Sequence, residues 1–265
     1  MNLPEFSATA SIAAVANVYE SDLLLDQYLL FHYGTADDQL PYAEGPREAL
    51  FYPVRCVSEF APAIGPIERA LDLGCAVGRS TFELSRWATA VIGVDLSARF
   101  IAAAESVRET GRVEIRRLEE GELTTRLTRS LPPGLHPERC RFEIGDATDL
   151  RKDIGQFELV LAANLLDRVR SPVRLLNSFR ALIRSGGHLI LSSPYTWLEE
   201  FTPRSEWVGG RYNSGGKAIP SLEGITRLLA TDFELLLTTD VPFLLREHAR
   251  KFQWSVAQAT VWKRS

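Results

Sequence analysis

The sequence predicts an α/β fold, doubly wound around a mostly parallel sheet of seven strands. Three observations lead there. From Glu68 onward, short apolar runs alternate with helical patterns, as parallel strands and their crossover helices do. Acids stand at the ends of three runs, Asp72, Asp95 and Asp146. The first run opens into a turn of small residues, Gly74-Cys75-Ala76-Val77-Gly78, before a helix begins.

The elements follow in order. Residues 1–10 carry no pattern. Ser21 can cap a helix with Leu24, Leu25, Tyr28, Leu29 and Phe31 on one face, stopped by Gly34. Residues 35–53 are rich in turn formers and read as a connecting arm; 54–60 resume a helix. Strands are expected at 70–73, 90–95, 142–144, 157–162 and 188–192, with helices at 80–87, 97–107, 165–169 and 173–183. A helix at 220–230 precedes two closing antiparallel strands, 233–241 and 254–262. One segment breaks the rhythm. Val113, Ile115, Leu123, Thr125 and Leu127 alternate about Glu119-Glu120-Gly121, so a hairpin is inserted at about 110–140. Its mixed-sign charges suggest a solvated surface. The whole chain, 1–265, is expected to form one domain: a helical arm or lid over 1–66 and a core over 67–265.

Composition excludes several classes. The 265 residues carry 30 Lys+Arg against 34 Asp+Glu, and 45% are apolar. That is a globular composition whose acidic balance argues against a constitutive nucleic-acid binder. Cys56, Cys75 and Cys140 lack C-x-x-C spacing, so neither a disulfide framework nor a zinc site is expected. No run reaches the ~18 apolar residues of a membrane span, and residues 1–6 lack the basic region of a secretory leader. The expectation is a reduced, cytoplasmic protein acting on a small molecule, with no nucleic acid, membrane or metal.

The acids and the small-residue turn describe a nucleoside pocket. Glycines permit tight turning and close backbone approach, and the following helix favours a ligand's negative end. Asp95 lies 23 positions after Asp72, where doubly wound folds place a carboxylate for ribose hydroxyls. Asp146 ends the third strand, within reach of a base amine. The dinucleotide fingerprint G-x-G-x-x-G and the phosphate loop G-x-x-x-x-G-K-[ST] are both absent.

With these motifs the chain resembles the class I S-adenosylmethionine-dependent methyltransferases. Their first motif is an acid followed by G-x-G-x-G, here with Ala76 for the middle glycine. The resemblance covers about residues 70–262 and implies a Rossmann-like methyltransferase sheet. It implies Gly74 and Gly78 at the methionine moiety, Asp95 at the ribose, Asp146 at the adenine amine and Asn164 near the sulfonium. Asp72, Cys75, Leu96, Ala147, Leu165 and Tyr52 complete the expected cofactor set.

A closer resemblance rests on residues 17–20, 28–34, 51–56, 162–168, 193–200 and 246–254, among them Tyr28-Leu29-Leu30-Phe31-His32-Tyr33-Gly34 and Ser193-Pro194-Tyr195-Thr196-Trp197. These are similar to the methyltransferase module of ovothiol biosynthesis. That family methylates an imidazole nitrogen of a thiolated histidine (4-mercaptohistidine, also called 5-thiohistidine). It is often fused behind an iron-dependent sulfoxide synthase. The resemblance therefore implies a stand-alone form, with S-adenosylhomocysteine as product and pairing with a separate synthase.

Residue chemistry supplies the substrate-side candidates. Asp167 can orient or deprotonate the ring; alternatively it caps a helix start or pairs with Arg168 or Arg170. Asn164 and Tyr195 join it as catalytic candidates. Arg55, Arg250 and Lys251 are cations for a substrate carboxylate, Arg55 alternatively for the cofactor's, and a plain surface charge is open for each arginine. Tyr28, Tyr33, Tyr52, Tyr195 and Trp197 can wall a flat imidazole or attract a sulfonium, or simply form core. His32 and His248 are bases or structural histidines. Arm and insert together are expected to close the pocket. Two other functions fit the same residues: methylation of another small amine, imidazole or phenol, and a cofactor-binding pseudoenzyme.

Overall fold

Ser21 opens α1 (Asp22–Tyr33) by accepting the Leu24 amide on its hydroxyl, and Gly34 ends the helix. The structure, a computed structural model, describes residues 20–265; the expectations for residues 1–10 and for Asn17, Val18 and Tyr19 lie outside them. A capping box between Thr35 and Asp38 starts the short α2 (Ala36–Gln39). Tyr52 and Pro53 start α3 (Tyr52–Ser58).

The alternation that follows is β1 (Ile67–Leu73), α4 (Arg79–Leu84), β2 (Ala88–Asp95), α5 (Ala98–Thr110), β3 (Arg112–Glu120), β4 (Leu123–Ser130), β5 (Cys140–Ile144), β6 (Phe157–Ala163), α6 (Pro172–Leu182) and β7 (Ile183–Ser193). Two minor strands, β8 (Arg211–Tyr212) and β9 (Ala218–Ile219), precede α7 (Ser221–Leu229), β10 (Phe233–His248) and β11 (Lys251–Arg264). Seven strands form one sheet in the order β10-β11-β7-β6-β1-β2-β5. Pairing among β1, β2, β5, β6 and β7 is parallel, and β11 pairs antiparallel with both β7 and β10. This is the expected sheet.

The sequence explains the layering. β6 is almost wholly apolar because both faces are covered, as in any central parallel strand. Its one acid, Glu158, pairs with Arg184 at 3.0 Å. On one face Leu159 and Leu161 of β6 share a core with Leu29 of α1, Val57 of α3, Phe82 of α4 and Phe100 of α5. On the other, Leu71, Val160 and Trp262 share a core with Phe179 of α6 and Ile225 of α7. The parallel strands run so that Leu73, Asp95, Ile144, Ala163 and Ser193 end along one edge, where doubly wound sheets bind ligands.

Three expectations change. The helix expected at 165–169 is a single tight turn, Leu166–Arg168, because Val169 is already extended and Ser171 caps α6. The closing strands extend well past 241 and begin before 254, carrying a two-stranded arm across the edge of the sheet. The insert is the expected hairpin, turning at Gly121 with Val113 and Ile115 buried. Its charges, however, are matched against the arm instead of facing only solvent. Arg116 pairs with Asp26 at 2.9 Å, Arg129 grips both oxygens of Asp38 at 2.6 Å each, and Glu119 meets Arg246 at 2.6 Å. The hairpin is a brace holding α1 and α2 to the core. Among the described residues no helix is long and apolar enough to cross a membrane, which says nothing of a β-barrel.

Candidate functional site

The strand ends and the arm enclose a cavity of about 870 Å³. One end is built by β1, β2 and β5. Gly74 turns the chain at φ 72°, and Ala76 follows at φ 46°, in the left-handed region an alanine seldom enters. The strained turn lets the Ala76 amide donate to Asp95 Oδ2 at 2.9 Å, while the Ser97 amide donates to Oδ1 at 2.9 Å. A carboxylate offers about four acceptor positions, so Asp95 keeps acceptor capacity on both oxygens. Burial holds its pKa above the usual carboxylate value. Asp146 Oδ1 accepts the amide and hydroxyl of Thr148, each at 2.7 Å. Exposed Leu96, with Ala147 and Leu165, adds apolar surface to the same wall.

The other end is built by β6, the arm and the β10–β11 arm. Asn164 follows β6 directly, at φ 52°, and lines the cavity. Its Oδ1 accepts from the Tyr52 hydroxyl at 2.7 Å, and that hydroxyl meets Ser192 Oγ at 2.8 Å. Burial raises the Tyr52 pKa well above 10, so its proton stays in place as the donor. Tyr28, Phe31, His32 and Tyr52 from the arm, with Phe243 from β10, make an aromatic wall. Tyr52 and Phe243 lie 4.9 Å apart between centroids, and Tyr28 and His32 5.9 Å. Burial, then the charge of Arg79, lowers the His32 pKa to about 3; this is a neutral ring, not a base. Among the described residues, four other than glycine take positive φ, namely Phe51, Ala76, Asn164 and Tyr195. Each lies in the cavity wall or beside a residue that does, the clustering expected of strain kept at a working site.

Asp167 also reaches the wall but is fully buried. Its Oδ1 accepts from Ser193 Oγ at 2.9 Å; its Oδ2 accepts from the Thr196 amide at 2.9 Å and from Arg168 at 2.8 Å. Burial raises its pKa and these partners oppose the rise. The geometry is that of a carboxylate tying down the loop after β7. It matches the ion-pair alternative to proton transfer.

Other sequence candidates fall outside the cavity. Asp72 is buried behind the turn, where Ser80 and Thr81 both donate to its Oδ2 at 2.7 Å, and its pKa is raised by burial to about 6. Cys75 is buried, and Gly78, at φ 89°, starts α4. Tyr33 donates to the Val77 carbonyl at 2.6 Å, fastening α1 to the turn. Tyr195 donates to Gln258 at 3.0 Å. Trp197 donates to Ser221 at 2.9 Å and stacks on Trp207. Arg55 is spent on Glu59 and the carbonyls of Glu48 and Pro242. Arg250 is exposed and Lys251 pairs with Glu247, both outside the wall, as is His248. The insert contributes no wall residue. Sequence reading missed Phe243, Leu245, Gln253 and Ser255, whose only signal was the length of the closing strands. It also missed Arg170 and Arg174, which look like ordinary helix-start arginines.

A mostly parallel, doubly wound sheet with a cavity at the carboxyl ends of its strands is an α/β fold of the nucleotide-binding type. The family described as "Methyltransferase domain" matches residues 47–237, and the chain belongs to it. A ubiquinone biosynthesis O-methyltransferase of Coxiella burnetii is 25% identical over 126 residues, 48% of this chain and 43% of that protein. The chain thus spans about two fifths of the length of the curated relatives it matches. Among solved structures, the [4+2]-cyclase SpnF aligns over 94% of this chain and 95% of its own, with TM-score 0.58 and 18% identity. Magnesium protoporphyrin IX methyltransferase from Synechocystis PCC 6803, with bound SAM, aligns over 98% and 99% with TM-score 0.51 and 15% identity. These likenesses show the Rossmann-like methyltransferase fold.

Proposed function

We propose that the protein uses S-adenosylmethionine to methylate a ring nitrogen of a thiolated histidine, 4-mercaptohistidine, in ovothiol biosynthesis. The observation that carries the reading is one cavity whose wall holds Asp95 and Asp146 together with Asn164 and the aromatic rings of Tyr28, Phe31, Tyr52 and Phe243.

The residues of the cradle fit the cofactor. Asp95 would take the ribose hydroxyls on its unused acceptor positions and Asp146 the adenine amine. Leu96 and Ala147 would flank the base, and the Gly74–Gly78 turn would pass close to the methionine end. The bound cofactor supplies a methyl group on a sulfonium, which leaves as a neutral thioether. Asn164, held by Tyr52, would orient the acceptor ring beside that methyl, and placement of this kind is most of what an in-line displacement requires. The aromatic wall would hold a flat ring and exclude water. In the thiolate form of the substrate, the sulfur's negative charge balances the positive ring formed by methylation, so attack needs no buried base. That suits Asp167 as a positioning group and His32 as a neutral wall. Pairing with a separate sulfoxide synthase and a cytoplasmic location belong to the same proposal, as does the arrangement of residues 1–265 as one domain.

The test is incubation with methyl-labelled S-adenosylmethionine and, separately, 4-mercaptohistidine, histidine and a small phenol. Label in 4-mercaptohistidine well above the other two supports the reading. Equal labelling of histidine removes the thiol from it. Transfer to the phenol alone moves the reading to an O-methyltransferase, and cofactor binding without transfer points to a pseudoenzyme.

A further inference from the structure

The sequence candidates for a substrate carboxylate, Arg55, Arg250 and Lys251, lie outside the cavity. Three arginines do line it: Arg168, Arg170 and Arg174. Arg168 is committed to Asp167 at 2.8 Å and to the carbonyls of Asp167 and Thr196, with its guanidinium 4.8 Å above the Phe201 ring. Arg174 is committed to Asp149 at 2.6 Å. Arg170 has no hydrogen-bond, ion-pair or ring partner among the described residues, though it is half-buried. A cation held partly out of water without a counter-charge is a site for an anion.

A carboxylate in the same wall is equally uncommitted. Glu200, exposed to solvent on the loop after β7, lines the cavity and has no partner among the described residues. Its loop is fastened to the Arg170 segment, because Thr202 Oγ1 donates to the Val169 carbonyl at 2.7 Å. Ser171 reinforces the contact by donating to Glu206 at 2.8 Å. Two opposite charges therefore sit on stapled segments of one wall without pairing to each other. Asp95 and Asp146, in contrast, already accept backbone or hydroxyl donors at the nucleoside end.

We infer that Arg170 and Glu200 hold the zwitterionic head of an α-amino-acid substrate, Arg170 the carboxylate and Glu200 the ammonium. This rests on the proposed use of the cavity and deepens it, since it restricts the substrate to free amino acids. Side chains on proteins and decarboxylated amines lack one or both charges. The inference is separate from the thiol, which neither residue reads.

Calorimetry on protein saturated with S-adenosylhomocysteine tests it. The ligands are 4-mercaptohistidine, its decarboxylated amine, its deaminated acid, and the histidine–histamine pair. A charge-assisted contact is worth about 10-fold to 100-fold in affinity. Arg170→Met should therefore weaken 4-mercaptohistidine by about that factor and leave the decarboxylated amine unchanged. Glu200→Gln should weaken it similarly and leave the deaminated acid unchanged. Neither side chain has a partner among the described residues, so both variants should keep the wild-type melting temperature and S-adenosylhomocysteine affinity.

Equal weakening of 4-mercaptohistidine and its decarboxylated amine by Arg170→Met overturns the inference, as does a wild type that binds that amine as tightly as 4-mercaptohistidine. A parallel loss of S-adenosylhomocysteine affinity reassigns Arg170 to the cofactor and equally overturns it. If histidine and histamine split as expected but the thiol adds nothing, the head contacts stand while the thiohistidine reading falls. Absence of binding by all five ligands overturns both.

Discussion

The Tyr52 hydroxyl donates to Asn164 Oδ1 at 2.7 Å, so a residue of the arm fixes the amide at the end of β6. Asn164 is also held in the left-handed region, at φ 52°. Backbone and side chain are constrained from opposite sides, and the two constraints can be separated by mutation. Asn164→Gly tolerates the same φ and should fold with stability within about 1 kcal/mol of wild type. It lacks the amide, so kcat/KM should fall at least about 10-fold. Tyr52→Phe should lower kcat with little change in S-adenosylhomocysteine affinity, because it frees the amide without altering the cradle. Thermal melts, calorimetry and steady-state kinetics on the two variants check this; a Tyr52→Phe enzyme of full kcat would contradict it.

Asp95 makes the opposite prediction. Its carboxylate organises the Ala76 and Ser97 amides and faces the cradle. Asp95→Ala should weaken S-adenosylhomocysteine by about 10-fold to 100-fold, the range for a lost charge-assisted contact. Calorimetry decides, and unchanged affinity would remove the ribose assignment.

Asp167 should behave as a fastener. Its three donors surround a buried carboxylate beside a partly exposed Arg168, and disturbing hydrogen bonds to a buried charged group costs about 1–3 kcal/mol. Asp167→Asn should lower the melting temperature and slow transfer, yet leave the shape of the pH–rate profile unchanged. Loss of the acidic limb of kcat/KM in this variant would instead make Asp167 the base.

His32 gives a pH signature. Its pKa is about 3 in the folded protein against 6.5 in an unfolded chain, so only the unfolded state gains a proton as pH falls through 6.5. Stability should fall by up to about 1.4 kcal/mol per unit from pH 6.5 toward 3 on this account. His32→Phe should flatten that part of the acid limb, read from denaturant unfolding at several pH values. Identical slopes would show that the ring is not held neutral.

The sheet was legible because apolar runs, glycine stops and caps such as Ser97 are local signals, and the cradle because its acids end strands. The hairpin was legible from period-two alternation alone. Its role was not, since Arg129 meets Asp38 across 91 positions and no local pattern encodes that pairing. The same reason explains the misplaced cations. Arg55 and Arg250 differ from Arg170 only in where the fold takes them. Tyr195 and Trp197 were correctly placed after β7, but their side chains turn to Gln258 and Ser221, which only tertiary structure decides.

The central claim is that the aromatic wall presents a thiolated imidazole to the cofactor's methyl through a ring nitrogen. Nuclear magnetic resonance of the product formed from 4-mercaptohistidine and carbon-13 methyl-labelled S-adenosylmethionine tests this most directly. The account predicts a single labelled methyl coupled to ring carbons through nitrogen, with the sulfur unmodified. A methyl on sulfur, or no labelled product while the cofactor binds, would contradict it.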